Sequence, residues 1–369
     1  MTNSPKALYI HIPFCEHICD YCDFTKLQYF TNYAKKYLVS LMEELDSYHI
    51  DHELNTIYIG GGTPTSLNDD EFSELLSMLD KYTKGVEEYT VECNPESLSE
   101  RKLELMKEHG VNRLSIGVES THDEILKAIN RHHTFRDVKL AISRARKAGF
   151  NNINVDLIIG LPHVSKSLFI EDLENIISLN VEHISCYSLT VHEHTVFGIN
   201  HVLEPTEDFS RELYDITHER LEKAGFIHYE VSNWAKPNRM SKHNYTYWKD
   251  ECYYGVGLGA SGYIGKYRYT NTKSLVDYCN GKFVKEKEVV DYEDDKIYFL
   301  MLNLRTIEGL DLNKYQRMLD ENFYKKHQKT LDKYIEEGLL IFNKEESRIY
   351  ASYAGMMVLD SIVVELLIE

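Results

Sequence analysis

Between Ala7 and about Leu189 the chain alternates short β-rich apolar runs with longer stretches whose apolar residues recur at helical spacing. The strand-like runs are Ala7 to Ile12, Thr56 to Gly60, Glu88 to Cys93, Arg113 to Val118, Ile153 to Ile159 and His183 to Leu189. Between them lie amphipathic patterns such as Tyr37, Leu38, Leu41 and Leu45, or Phe72, Leu75, Leu76 and Leu79, which predict helices with one buried face. Strands alternating with helices require a parallel sheet joined by right-handed crossovers. Periodicity alone does not choose between a curled sheet and a flat, doubly wound one. In both, functional groups gather at the C-terminal strand ends.

After Leu189 the alternation fades. Glu193 to Pro205 reads as loop, Phe209 to Ala224 as an amphipathic helix ending at Gly225, and His228 to Val231 as a short strand. Gly257 to Gly262 fits G-x-G-x-x-G, but no βαβ unit surrounds it and the acid expected about twenty residues on is absent. Close backbone packing against the site at the strand ends is expected there instead. From Val289 the pattern predicts helices, two short strands and a closing helix, a small winged-helix-like α+β domain expected to act as a lid or partner surface. The expected organisation is an α/β domain over 1–225, a connecting segment over 226–288 and the small domain over 289–369.

With 369 residues and 43% hydrophobic content, the chain can bury substantial cores. A net charge of −18 argues against a nucleic-acid partner and against a membrane surface reached by charge alone. Cys93, Cys186, Cys252 and Cys279 are scattered singly, which predicts a reducing compartment. Met1 to Lys6 is polar and no run has the length of a bilayer span, so the cytoplasm is the expected location.

The chemistry concentrates after the first strand, where Pro13 leads into Cys15, Cys19 and Cys22 at C-x3-C-x2-C. Four thiolates would ligate a [4Fe-4S] cubane completely. Three leave one iron open to a small molecule that chelates through an amine and a carboxylate. A structural zinc site could use the same thiols with a histidine such as His17, but zinc ligands usually come as two separated pairs. The second strand ends in Gly60-Gly61-Gly62-Thr63-Pro64, where glycines let backbone amides approach a ligand. Glu92, Glu119 and Asp156 fall at or near the ends of the next three strands, and acids there suit a cationic nucleoside. Arg131 could face a ligand carboxylate or complement a helix C-terminus.

Together YIHIPFC, the cysteine triplet, GGGTP, VECNP, SIGVES, INRHH and VDLIIGLP resemble the branch of radical SAM proteins that contains oxygen-independent coproporphyrinogen III oxidase and the HemW heme chaperones. The resemblance implies a partial (β/α)6 barrel with a [4Fe-4S] cluster on Cys15, Cys19 and Cys22. It also implies S-adenosylmethionine at the open iron, cleaved by a cluster electron to a 5′-deoxyadenosyl radical. By the same resemblance Tyr9, Tyr21, Gly61, Gly62, Thr63, Glu92, Glu119, Arg131 and Asp156 line the S-adenosylmethionine site. Glu119 stands where the branch usually has glutamine. Phe24 stands where the oxidases carry a further cysteine, which weakens the oxidase alternative. His243-Asn244-x-x-Tyr247-Trp248 resembles the HNxxYW motif of the chaperones and implies heme contact. On chemistry alone that histidine reads as a satisfied residue in a helix cap or interdomain contact. The implied function is a carrier of heme to acceptor proteins, with an electron donor for its cluster and visits to a membrane if the acceptor lies in a respiratory chain.

Overall fold

The computed structural model describes residues 4–368. Six parallel strands, β1 (Ala7–Ile12), β2 (Thr56–Gly61), β3 (Glu88–Cys93), β4 (Arg113–Glu119), β5 (Ile153–Ile159) and β6 (His183–Ser188), lie side by side in chain order. That order resolves the ambiguity left by periodicity. A doubly wound sheet must reverse its winding, whereas right-handed crossovers that always step to the next strand put every helix on one face. The strip therefore curls as a partial barrel, with α1 (Thr31–Ser47), α2 (Asp69–Leu79), α3 (Glu100–Glu108), α4 (Asp123–Ala128), α5 (Phe135–Lys147) and α6 (Lys166–Ser178) between its strands. Side chains at Asn68, Ser99, Thr134 and Ser165 cap four of these helices, satisfying amides the helix itself leaves unpaired.

Within the strands a two-residue period separates two environments. Ile57, Ile59, Val91, Leu114, Ile116, Val155, Leu157 and Ile184 are fully buried in one cluster with helix residues such as Leu41, Phe72 and Leu75. Removing each such side chain from water stabilises by roughly 1.5–3 kcal/mol. The alternate positions, Tyr58, Glu92, Ser115, Asn154, Asp156 and Ser185, line an interior cavity. The inside of this barrel is polar.

A further helix, α7 (Glu207–Lys223), precedes the strands β7 (Ile227–Glu230) and β8 (Asn233–Ala235); β8 pairs antiparallel with β6, and β7 forms the edge beyond it. The HNxxYW stretch is helical, α8 (Lys242–Trp248), and β9 (Tyr253–Val256) adds to β1 in parallel. Antiparallel strands β10 (Ser261–Ile264), β11 (Tyr267–Asn271) and β12 (Val284–Val289) continue that side to a twelve-stranded open sheet. Buried Glu44 of α1 secures the extension by accepting from the Gly257 amide at 2.9 Å and Asn271 Nδ2 at 2.6 Å, and from the Tyr278 hydroxyl. A Cβ at Gly257 would meet the carbonyl of His11, and one at Gly259 would meet Thr25. The glycine run thus packs closely on β1 and the thiol loop.

The C-terminal region has its own core, including Phe299, Leu310, Tyr315, Leu331 and Ile349. It packs a three-stranded antiparallel sheet, β13 (Leu310–Asp311), β15 (Arg348–Ala351) and β14 (Leu340–Asn343) in spatial order, with helices such as α9 (Tyr292–Asn303) and α10 (Leu312–Leu319). Its contacts reach β7, α7 and the end of α8: the Ile307 amide donates to Tyr229 O, Lys314 Nζ to Lys249 O, and the Tyr353 ring stacks on His218. These contacts seat the region against the edge of the sheet and the outer helix.

Candidate functional site

The cavity, of about 430 Å³, runs from the thiol loop at the C-terminal strand ends down to α8. Its mouth is built by the chain leaving β1. A short parallel pairing of Phe14–Cys15 with Leu27–Gln28 closes the thiol loop, helped by bonds from Leu27 N to Pro13 O and from Tyr29 N to Cys15 O. Cys15 is buried; Cys19 and Cys22 are half-buried, and all three line the cavity. The Thr63 hydroxyl donates to Cys15 Sγ at 3.7 Å, and Arg131 Nη1 to Cys19 Sγ at 3.5 Å. Burial pushes the Cys15 thiol up to about 12 and the Cys22 thiol up to about 11, so thiolates here need a cationic centre beside them.

Among the described residues no three His, Cys, Asp or Glu side chains converge closely enough to hold a single metal ion. A cubane asks for a different arrangement, in which each thiolate serves a different iron corner. The donor set fits the cluster: three thiols in one loop, with hydrogen-bond donors already aimed at two sulfurs.

Glycines bring β2 against this loop. Gly61 has φ +113°, and a Cβ there would lie 2.6 Å from the His11 ring; a Cβ at Gly62 would lie 2.8 Å from Phe14 O and 3.0 Å from Cys15 Sγ. Gly62→Ala is therefore expected to displace the thiol loop and lower iron incorporation to less than half that of the parent, measured as iron per protein after anaerobic reconstitution.

The three strand-end acids converge on the cavity. Glu92 accepts from the Tyr58 hydroxyl at 2.7 Å and the Gly61 amide at 3.0 Å. Asp156 accepts from Asn154 Nδ2 at 2.8 Å and Ser115 Oγ at 3.3 Å. Glu119 has φ +65°, a left-handed conformation uncommon for a side-chain-bearing residue, at an irregularity in the β4–β5 pairing. Its carboxylate accepts from Arg131 Nη2 at 3.3 Å. An acceptor-only group suits that partner, which accommodates glutamate at this position. Arg131 itself is buried, donates also to Gly117 O and Asn94 Oδ1, and faces the cavity.

Burial pushes Glu92 and Glu119 each up to about 7, and raises Asp156. Since the folded chain keeps protons that the unfolded chain releases from pH 4.5 upward, stability from Glu92 and Glu119 is full below about 4.5 and lost as pH rises through 7. For Glu92 the loss is on the order of 3 kcal/mol. The melting temperature of the ligand-free protein is expected to fall between pH 5 and 7.5, and less steeply in Glu92→Gln.

Tyr21, Gly61, Gly62, Thr63, Glu92, Glu119, Arg131 and Asp156 all line the one cavity. Tyr9 does not. Its hydroxyl donates to His11 Nδ1 at 2.9 Å, because His11 Nε2 donates to Thr25 O at 2.8 Å, so Tyr9 braces the thiol loop from behind. Sequence reasoning missed Tyr58, Arg113, Ser115, Asn154 and Ser185, which also line it. Their signal was present as polar residues at alternate positions of otherwise apolar strands.

The HNxxYW helix lies at the opposite end. Glu88, first residue of β3, accepts from the Ser241 hydroxyl at 3.2 Å and the amides of Lys242 at 3.0 Å and His243 at 2.9 Å. His243 is fully buried, with Nδ1 paired to Thr56 Oγ1 and Nε2 to the Tyr247 hydroxyl, each at 2.8 Å. Burial holds its imidazole down at about 3 and therefore neutral. In this conformation both ring nitrogens are engaged within the protein. Tyr247 and Trp248 are half-buried beside it, and Asn244 lines the cavity as part of its floor.

A partial barrel with an open-cornered triplet of thiols above buried acids is the architecture of a radical SAM protein, and the Radical SAM superfamily model matches residues 9–176. The heme chaperone HemW of Bacillus subtilis is 38% identical over 95% of this chain and 96% of its own, and that of Lactococcus lactis 36% identical over 94% and 93%. HemW of Escherichia coli is 34% identical, over 83% of this chain and 84% of its own. The solved structure of coproporphyrinogen III oxidase (HemN) from Escherichia coli superposes with a TM-score of 0.85 over 98% of this chain and 90% of its own, at 22% identity, a likeness of fold. The chain belongs to the HemW heme chaperone family of radical SAM proteins.

Proposed function

We propose that the protein binds a [4Fe-4S] cluster and S-adenosylmethionine in the cavity, takes up heme and delivers it to acceptor proteins. The observation that carries this reading is similarity over almost the whole chain to proteins named heme chaperones. When bound, the cluster and S-adenosylmethionine supply one-electron chemistry. Cys15, Cys19 and Cys22 hold three corners of the cluster, and Thr63 and Arg131 steady two of the sulfurs. Glu92, Glu119 and Asp156 supply acceptors for the amine and ribose hydroxyls, and negative charge opposite the sulfonium. Glycines 61 and 62 let the backbone reach the ligand, and Tyr21 helps to exclude water. His243, Asn244, Tyr247 and Trp248 serve by closing the barrel from below.

No helix of the described residues is long and apolar enough to cross a membrane. We place the protein in the cytoplasm, served by an electron donor and meeting acceptors at a membrane surface where they reside there. Anaerobic heme titration of the reconstituted protein, with and without its cluster and followed by transfer to an apo-acceptor, tests the reading. Stoichiometric uptake and release are expected. Absence of uptake, or conversion of coproporphyrinogen III to protoporphyrinogen, would overturn it in favour of the oxidase.

A further inference from the structure

One buried cation of the cavity has no paired carboxylate. Arg113 is the first residue of β4 and shares the inner face of that strand with Ser115, so it stands at the floor end of the barrel. It is 2% exposed and lines the cavity. Among the described residues its one hydrogen bond runs from Nη1 to Thr90 Oγ1 at 3.5 Å, at the limit of such a bond, and its Nε has no partner. The acids on the neighbouring strands are committed elsewhere, Glu92 to the Tyr58 hydroxyl and the Gly61 amide, Asp156 to Asn154 and Ser115. A guanidinium buried without a partner is unfavourable, and an arriving anion relieves it.

The polar groups around it divide into two kinds. Asn154 accepts from His183 and Ser185 and donates to Ser115 and Asp156, so its hydrogen bonds are used within the wall. Asn244 reaches the same cavity from α8, and beyond the helix ladder it bonds only through its backbone amide, to Ser241 Oγ at 3.3 Å. Its side-chain donors are open to a ligand. Burial, helped by the charge of Arg113, holds the imidazole of the adjacent His243 neutral, which sets the guanidinium close to this helix. A planar fork of N–H donors and a primary amide opening on one floor match a carboxylate. S-adenosylmethionine has a single carboxylate, which the open iron at the other end of the cavity would engage. Heme has two, each on a flexible arm that extends past the ring edge.

We infer that Arg113, with Asn244, forms a carboxylate site at the floor of the barrel, and that its occupant is a propionate of the carried heme. The inference rests on the heme-carrier reading above and adds to it a grip on the edge of the macrocycle, separate from any bond to the iron. It sets that edge against the HNxxYW helix.

The test is an anaerobic titration of full-length, cluster-reconstituted protein with heme and with heme dimethyl ester, whose propionates carry no charge. The parent is expected to bind heme about tenfold or more tighter than the ester. Arg113→Gln should bind the two alike, at the level of the ester and with the Soret band unmoved, because the lost contact is not to iron. Arg113→Lys keeps the charge without the fork and should keep part of the preference, as should Asn244→Ala. Melting of the ligand-free proteins separates this role from a structural one: an unpaired guanidinium predicts that Arg113→Gln melts no lower than the parent. Equal affinity of the parent for heme and ester, an Arg113→Gln protein that keeps the preference, or one that melts far below the parent would overturn the site while leaving the carrier reading intact. Loss of S-adenosylmethionine affinity in Arg113→Gln with the heme preference kept would give the carboxylate to that ligand instead. Failure of the parent to take up heme or ester would overturn both.

Discussion

Serine in place of any one of Cys15, Cys19 or Cys22 is expected to reduce iron content from about four per chain to below one, and to abolish absorbance near 400 nm. Each thiolate serves a separate corner of the cubane, so losing one leaves two irons without protein ligands. No neighbouring thiol can substitute. Cys93, the next cysteine along the chain, is buried with its Sγ directed to Ser115 O at 3.4 Å, and burial raises its pKa far above that of an ordinary thiol. Cys186 is equally buried. Cys19 and Cys22 are half-exposed, so their serine variants should keep native far-ultraviolet circular dichroism, separating loss of the cluster from loss of the fold. Retention of about four irons by any of the three would contradict this account of the site.

Glu88→Ala is expected to destabilise the chain by about 3 kcal/mol, because it leaves two buried donors and one half-buried donor unpaired together. Glu88 is 3% exposed and is the carboxylate on which the N-terminus of α8 rests. The same loss would free His243 and Tyr247 from the barrel floor, so amide exchange across Lys242–Trp248 should accelerate more than across the strands. Glu88→Gln keeps one acceptor oxygen and should lose less. Denaturant midpoints and hydrogen exchange measured on the three proteins decide it; a parental midpoint for Glu88→Ala would show that α8 does not depend on this anchor.

These two sites show what was legible and what was not. The thiol triplet is a local pattern: three ligands in eight residues must share a loop whatever the fold does around them. The glycines of β2 and the acids of β3, β4 and β5 were legible because parallel strands carry their C-terminal ends to one rim. Glu88 left no such sign. It begins a strand, and its partners lie about 150 residues further on. The HNxxYW spacing correctly placed His243 and Tyr247 on one helical face, yet could not say that this face would turn inward and consume both ring nitrogens. Tyr9 came from the family resemblance, and its bond to His11 is a contact that sequence does not reveal.

By itself the amino-acid sequence determined the strand and helix periods, the thiol loop and the chemistry at the strand ends, because each arises from residues near one another along the chain. The family resemblance implied a partial barrel where periodicity left the winding open, and tertiary structure alone decided that its inside is polar. It also decided that β9 joins β1 from far along the chain, and that the HNxxYW helix closes the floor. Hydrophobic periodicity states that a face is buried; which partner buries it is settled only by the pairing of distant segments, where one hydrogen-bonded neighbour excludes another.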